Sequence, residues 1–237
     1  MNFDVSFMIH EAFPAAISGI PVSLYVTFGS MLIALPISFL FAMVRFKKTI
    51  VFSQIVQVIV SFLRGTPLVV QLFIVYSGFP SVLNIFVKNY GLEFDAFGIS
   101  PYVFAFVVFS LNTMASLTEV FRSSLAAVGR EQTEAGYSVG LNGFQIAVLI
   151  VIPQALVSAI PNICNEFLNL FKSTSLVYLM TIQDITGKVR LAAANGYDYT
   201  EAYVVIFIIY LILGFTMEKL FKKLEDRLKT FRARPQL

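Results

Sequence analysis

Apolar residues occur in long blocks along this chain, and short polar connections separate the blocks. A bilayer core about 30 Å thick requires about 20 apolar residues per helix. Windows of that length predict five spans, at about residues 21–44, 55–79, 99–118, 153–171 and 198–218. The pattern therefore predicts an all-α integral membrane protein with five transmembrane helices, in which residues 1–237 form a single transmembrane domain.

The second apolar window is interrupted by Arg64, Gly65, Thr66 and Pro67. Proline removes a backbone donor and glycine loosens a helix, so we expect a broken or kinked helix at this point. Such a break survives at membrane depth only where protein or a water-lined cavity satisfies the freed backbone groups. We therefore consider Arg64 and Thr66 as candidates for the lining of a passage. For Arg64 the alternative is a snorkelling side chain that anchors the helix near the membrane surface.

Composition excludes an ordinary soluble protein, because 57% of the residues are hydrophobic, 13% are charged and the mean hydropathy is +0.80. A net charge of +3 lacks the electrostatic footprint of a nucleic-acid-binding protein. The single cysteine, Cys164, cannot form an internal disulfide, and the single histidine, His10, cannot build a histidine metal site. We therefore expect neither nucleic acid nor a metal ion as a partner of this chain.

The distribution of lysine and arginine predicts the orientation, since short positive loops are retained in the cytoplasm. One set of alternate connections is rich in these residues: Arg45, Lys47, Lys48, Arg122, Arg130, Lys219, Lys222, Lys223, Arg227, Lys229, Arg232 and Arg234. The other set is poor in them: Lys88, Lys172, Lys188 and Arg190. The rich side is predicted to be cytoplasmic, with the N-terminus outside and the C-terminus inside. The basic tail is expected to touch anionic lipid head groups, or alternatively a cytoplasmic partner.

A polar stretch between the third and fourth spans, at about residues 122–152, contains a predicted helix and turn. Glu134 and Ala135 favour a helix, and Gly140 is predicted to end it in a left-handed conformation. A small-xxx-small packing pair of Gly136 and Gly140 is the alternative. The stretch is too polar for the middle of a bilayer, so the charge distribution places it in the cytoplasm.

The order Glu134-Ala135-Gly136, three residues, Gly140, Leu141, then Ile150 and Ile152-Pro153 resembles the EAA loop of membrane-spanning subunits of bacterial ABC importers. Gly136 stands where that family more often has alanine. The resemblance implies that this loop docks on an ATP-hydrolysing subunit. On that basis, the residues expected to couple the chain to the ATPase are Glu134, Ala135, Gly136, Gly140 and Leu141.

Further segments are similar to the permeases of ABC importers for polar amino acids (histidine, glutamine, glutamate, arginine, cystine and opines). They are 64–73, 119–122, 153–155, 165–167 and 172–176. The resemblance implies a type I importer in a bacterial cell membrane. Its expected partners are two ATP-binding subunits, a second permease copy (identical or related) and an extracytoplasmic amino-acid-binding protein. No phosphate-binding loop motif occurs in this chain, so it is not expected to be an enzyme or to bind ATP and Mg²⁺, which we assign to the partner subunits.

The fourth span contains an unusual polar stripe of Asn162, Asn165, Glu166 and Asn169. Spacings of three and four residues place much of this set on one helical face, where it is a candidate for the substrate pathway. Glu166 is suited to receive a substrate ammonium group. The alternative is a structural role, in which Glu166 pairs with Arg64 or Lys172 or accepts backbone hydrogen bonds.

Two other function classes compete with the importer. An ion-gradient-driven secondary amino acid transporter would often show internal repeats, and none is evident between the halves of this sequence. A membrane scaffold would not need broken helices or an intramembrane carboxylate. The amino acid carried is not specified by the sequence.

Overall fold

Helices account for the regular structure in the computed structural model, which describes residues 3–46 and 50–232 apart from the side chains of residues 50 and 228–232. The main helices in this part are α1 Val5–Phe46, α2 Ile50–Gly65, α3 Leu68–Asn89, α4 Pro101–Ala126, α5 Arg130–Ser138, α6 Gly143–Met180, α7 Ile185–Ala193 and α8 Tyr199–Arg232. The last turns of α6, Thr174–Met180, are 3-10 helix. The all-α prediction is confirmed.

Five helices in the described ranges are long and apolar enough to cross a membrane, namely α1, α3, α4, α6 and α8. The prediction of five spans is therefore confirmed, although their limits differ from the expected ones. The largest difference concerns the second span, where the expected window 55–79 is divided between α2 and α3. Helix α3 then continues to Asn89, beyond the end of the expected window, because apolar residues persist beyond Pro80.

Three π-helical turns accommodate prolines inside the long helices. A proline has no N–H and its ring clashes with the carbonyl of residue i−4 in an α-helix. In each π turn the residue before the proline instead bonds five residues back, so the helix continues. These bonds are Phe13 N–H to Met8 before Pro14, Phe79 N–H to Ile74 before Pro80, and Ile152 N–H to Ala147 before Pro153. Consequently α6 runs continuously through Pro153, where the sequence predicted that a separate span begins.

Small side chains let α1 approach α4 closely. Six residues of α1 spaced three or four apart are completely buried: Ser23, Thr27, Ser30, Ala34, Ser38 and Ala42. Small residues at such spacing allow helix backbones to pack in lipid, where hydrophobic burial gives little driving force. Within the helix, the Thr27 hydroxyl donates to the Ser23 carbonyl at 2.7 Å. The Thr27 hydroxyl is thus satisfied within its own helix and needs no partner on α4.

The orientation prediction depends partly on basic residues that are not described. Lys47, Lys48 and Arg234 lie outside the described residues, as do the side chains of Lys229 and Arg232. The topology itself fixes one relation: a single span, α6, separates the α4–α6 connection from the α6–α8 connection. These two connections therefore lie on opposite sides of the membrane.

Candidate functional site

The helix α5 and its following turn have the geometry predicted from the sequence. Gly140 has φ +82°, the left-handed conformation that favours glycine. The Leu141 N–H donates to the Gly136 carbonyl at 3.1 Å, and the Gly140 N–H donates to the Tyr137 carbonyl at 3.0 Å. These two bonds form a Schellman motif, which satisfies carbonyls at the end of the helix. The prediction that Gly140 ends this helix is confirmed.

A capping box begins α6 directly after that turn. The Asn142 side chain accepts a hydrogen bond from the Gln145 N–H at 2.9 Å, and the Gln145 side chain accepts one from the Asn142 N–H at 2.9 Å. This reciprocal pair satisfies donors at the start of the helix. Two local motifs therefore fix the turn between α5 and α6. We call residues 130–146 the handle.

The predicted coupling residues differ in how far they are exposed on the handle. Glu134 and Ala135 are exposed, as is Gly140, whereas Gly136 is buried and Leu141 is half-buried. An added Cβ at Gly136 would lie 2.7 Å from Ile146 Cγ1, so glycine allows α5 to pack directly on α6. Gly136 therefore supports the surface that Glu134 and Ala135 present.

Large apolar side chains project from the same handle into solvent. Tyr137 is 57% exposed, Val139 76% and Phe144 77%. Exposed apolar groups on a polar segment mark surfaces for protein contact. These residues were not among those predicted from the sequence, although large apolar residues inside an otherwise polar block can be recognised there.

A cluster of charges ties α1 to α4 shortly before the handle. Glu119 on α4 accepts hydrogen bonds from the Arg45 guanidinium at the end of α1 and from Arg122 Nε at 2.8 Å. One carboxylate thus binds two cations, and Arg45 is mostly buried in this arrangement. Such a network holds the end of α4 in a fixed position. The handle consequently follows a helix, α4, whose C-terminal part is held to α1 by an ion pair.

In the polar stripe of α6 the three asparagines are more exposed than the glutamate. Asn162, Asn165 and Asn169 are exposed, and Glu166 is half-buried. The Glu166 carboxylate lies close to the Asn169 side chain of the same helix and within range of the charge of Arg64 on α2. Glu166 forms no ion pair within 4.0 Å with Arg64 or Lys172, all three of which are described residues.

The structure brings Arg64 and Thr66 to the break between α2 and α3. Arg64 is exposed in the last turn of α2. The Thr66 hydroxyl donates to the Phe62 carbonyl at 2.9 Å. The Gln71 side-chain amide donates to the Leu63 carbonyl at 2.8 Å and to the Thr66 hydroxyl at 2.7 Å. Sequence reasoning required a donor here but did not identify Gln71.

A second missed residue, Asp184, lies at the other end of α6. Its side chain is completely buried and caps α7 by accepting the Gly187 N–H at 2.8 Å. The Tyr210 hydroxyl of α8 donates to its other oxygen at 3.3 Å. Burial raises the pKa of Asp184 to about 6. Nothing in the sequence separates this aspartate from a solvated loop residue.

A wide groove on the surface is unsuited to a polar substrate. It has a volume of about 670 Å³ between α1, α6 and α8, and its lining is apolar, including Phe28, Phe167 and Phe221. A site for a polar ligand needs a few placed polar groups. The substrate-pathway candidates therefore remain those near Glu166 and the helix break.

Residues 34–230 match the model of a protein family described as the binding-protein-dependent transport system inner membrane component. The chain belongs to this family. Relatives that are similar to this chain over almost their whole length are permease proteins of amino acid transport systems, so the predicted resemblance to amino acid ABC permeases is confirmed.

Two of these relatives illustrate the similarity. The L-cystine transport system permease protein TcyL of Bacillus subtilis (strain 168) is 32% identical over 232 residues, which is 98% of this chain and 94% of the relative. The octopine transport system permease protein OccM of Rhizobium radiobacter is 33% identical over 228 residues, which is 95% of this chain and 90% of the relative.

Solved structures agree with this membership. A chain of an amino acid ABC transporter crystallised with histidines has a TM-score of 0.82 and 26% identity, covering 96% of this chain and 100% of that chain. A chain of the MetNI methionine ABC transporter in an inward-facing conformation shares the fold, with a TM-score of 0.69 at 15% identity over 90% of this chain and 96% of that chain. This permease thus has the type I ABC importer fold.

Proposed function

We propose that this chain forms the translocation pathway of an ATP-driven importer for a polar amino acid in a bacterial cell membrane. The observation that carries the proposal is the handle: a rigid helical hairpin with an exposed apolar surface, on a chain of this permease family. The named relatives belong to transport systems for cystine and octopine, so the substrate is proposed only as a member of that polar class.

The handle is proposed to lie in the cytoplasm and to dock on an ATP-binding subunit. Glu134 and Ala135 would contact that subunit together with Tyr137, Val139 and Phe144. ATP and Mg²⁺ would be bound by two such subunits. Their closure would move two handles, one on each permease copy, and the charge cluster at Glu119 would carry the motion into α1 and α4. An extracytoplasmic binding protein would deliver the amino acid on the opposite side.

A charge reversal tests the docking surface. Glu134→Arg is expected to prevent co-purification with the ATP-binding subunits, because a docking surface excludes mismatched charge. The matched control is Glu93→Arg, which makes the same change at an exposed residue across the membrane from the handle. Retention of the ATP-binding subunits by Glu134→Arg at the level of Glu93→Arg would remove the proposed docking role.

The energy source is tested by uptake into proteoliposomes. Uptake that requires ATP and a binding protein supports the proposal, whereas uptake driven by an ion gradient alone contradicts it.

The pathway residues are proposed to contact the amino acid during passage. Glu166 would interact with a cationic group while Asn162, Asn165 and Asn169 hydrogen-bond other polar atoms, with Arg64 and Thr66 at the edge of the passage. Glu166→Gln is expected to raise the KM for uptake or to change substrate preference while the complex still assembles. Unchanged kinetics and preference, as in a Glu93→Gln control, would assign Glu166 a structural role.

A further inference from the structure

At the break between α2 and α3, Pro67 removes an N–H donor that a backbone carbonyl group would have in a continuous helix. In a continuous α-helix the Leu63 carbonyl would accept the N–H of residue 67, but proline has none. The Val70 N–H bonds to the Pro67 carbonyl at 3.0 Å, which leaves the Thr66 carbonyl without its own i+4 donor. The break therefore frees several carbonyls, and those of Leu63 and Thr66 are the two that matter here.

One side chain, Gln71, serves both carbonyls. Its amide nitrogen lies 2.8 Å from the Leu63 carbonyl oxygen, 3.2 Å from the Thr66 carbonyl oxygen and 2.7 Å from Thr66 Oγ1. An amide has two N–H donors, so one serves Leu63 and the other is shared at Thr66. The Gln71 side chain thus replaces the donor that Pro67 lacks.

The same side chain also reaches the third span. Asn112 Nδ2 of α4 lies 3.5 Å from Gln71 Oε1, the longest contact of the group. Asn112 is near the middle of α4, which runs from Pro101 to Ala126, so the break lies at membrane depth. Water is scarce there, and a freed carbonyl without a partner is costly. Gln71 therefore determines whether the break is stable in this geometry.

We propose that Gln71 is a positioning residue that locks the angle between α2 and α3 and ties the break to α4. Its clamp sets the position of Arg64 and Thr66, the two pathway candidates at the break, relative to Glu166 on α6. Motion of α4, which leads directly into the handle, then reaches the break through Gln71. This role in transport rests on the proposed function, whereas the locked angle does not.

The angle is tested by a distance measurement that needs no transport. Replacement of the single cysteine, Cys164→Ser, gives a cysteine-free background for spin labels at Val58 on α2 and Val82 on α3, both 68% exposed. In lipid nanodiscs the parent protein is expected to give one narrow distance distribution. Gln71→Leu, which removes all amide donors, is expected to broaden or shift it. Gln71→Met has a similar length and no N–H donor, so it should do the same and covers the case in which the leucine variant does not fold.

Matched controls separate the clamp from a general effect of losing a glutamine. Gln54→Leu changes an exposed glutamine of α2, and its distribution should equal that of the parent. Thr66→Val removes one of the three acceptors and should give an intermediate broadening. A distribution in both Gln71 variants as narrow and as centred as in the Gln54→Leu control would overturn the proposal.

Uptake kinetics test the link to transport separately. Per assembled complex, Gln71→Leu is expected to lower kcat about tenfold with KM changed less than about twofold, because the clamp acts on movement and not on ligand contact. A purely structural role would lower the yield of complex and leave kcat per complex unchanged, which would overturn the transport part. Should uptake prove independent of ATP while the distances still broaden, the proposed function fails and the clamp stands.

Discussion

The two turns at opposite ends of α6 are built by different means. In the handle, the Schellman bonds at Gly140 and the capping box at Asn142 join residues that are three to five positions apart. At the other end, Asp184 receives the Tyr210 hydroxyl from 26 residues away, and the Ile185 N–H lies 3.5 Å from Ser23 Oγ, 162 residues away. The handle therefore keeps its shape by itself, whereas the α7 connection depends on the assembled bundle.

This difference suits the two roles. A handle whose shape is fixed by local bonds can move as a unit, so that its motion passes to the helices behind it instead of being lost in deformation of the handle. The α7 connection joins α1, α7 and α8, so any change there is felt by the bundle as a whole. Substitutions at the two ends should consequently differ in size and in the measurement that detects them, and the following predictions run from the largest effect to the smallest.

Two glycines at helix contacts provide the sharpest test. An added Cβ at Gly19 would lie 2.5 Å from the Ile185 backbone nitrogen, whereas at Gly136 its nearest neighbours would be side-chain atoms, Ile146 Cγ1 at 2.7 Å and Ile150 Cδ1 at 3.2 Å, which can shift more readily than backbone. Gly19→Ala is expected to destabilise the protein by about 3 kcal/mol, at the upper end for overpacking, and Gly136→Ala by less than about 1 kcal/mol. Thermal unfolding in detergent checks both. Equal shifts in the two variants would contradict the contrast.

Protonation of Asp184 should make the stability of the bundle depend on pH. Its pKa is raised from 3.8 to about 6 in the folded protein, so the folded state binds the proton more tightly than the unfolded state. The stabilisation is full below the unfolded pKa and is lost as pH rises through the folded pKa. At 1.36 kcal/mol per pKa unit, the loss between about pH 4.5 and pH 7 is about 2 kcal/mol.

The Asp184→Asn variant is the control for this prediction, since asparagine does not titrate. Unfolding temperatures across the pH range should decline in the wild type and stay flatter in the variant. Identical profiles in the two proteins would exclude Asp184 as the titrating group.

Gly140→Ala should loosen the handle and leave the bundle intact. A side chain at φ +82° costs about 1 kcal/mol relative to glycine, or about a fivefold loss of amide protection. Hydrogen exchange across residues 130–141 measures this local effect, and the global unfolding temperature should not change. Val139→Ala, at an exposed neighbour, is the matched control. A fall in the global unfolding temperature would show that the handle is not independent.

Loss of the capping box should have the smallest effect. Asn142→Ala is expected to cost about 0.5 kcal/mol, because exposed caps lie at the low end of the known range. Amides near residue 145 should then exchange about twofold faster. Asn142→Asp keeps a capping oxygen and should behave as the wild type does, so equal exchange rates in the alanine and aspartate variants would contradict the cap.

The same contrast explains which features could be predicted from the sequence. The end of α5 at Gly140 and the break at Gly65–Pro67 were predictable, because glycine and proline act on their own backbone. Five spans followed from apolar block length alone. The continuation of α3 to Asn89 and of α6 through Pro153 did not, because a proline signals a break unless a π turn absorbs it.

The residues that were missed depend on contacts between distant segments. The roles of Gln71 and Asp184 become visible only when Leu63, Asn112 or Tyr210 is placed beside them. Glu166 shows the intermediate case. Its helical face followed from the residue spacing, but the absence of a direct ion pair to Arg64 depends on how far α2 lies from α6 in the folded protein.

The π turn at Ala147–Val151 has a consequence for the rotational register of α6. A π turn holds about one residue more than an α-helical turn, so everything after it is rotated by about 100° relative to an uninterrupted α-helix. Deleting one residue from this turn would swing the Asn162–Asn169 stripe onto a different azimuth without altering a single one of its side chains. Pro153, through the π turn that accommodates it, thus sets the direction in which polar residues more than two turns further along the helix project.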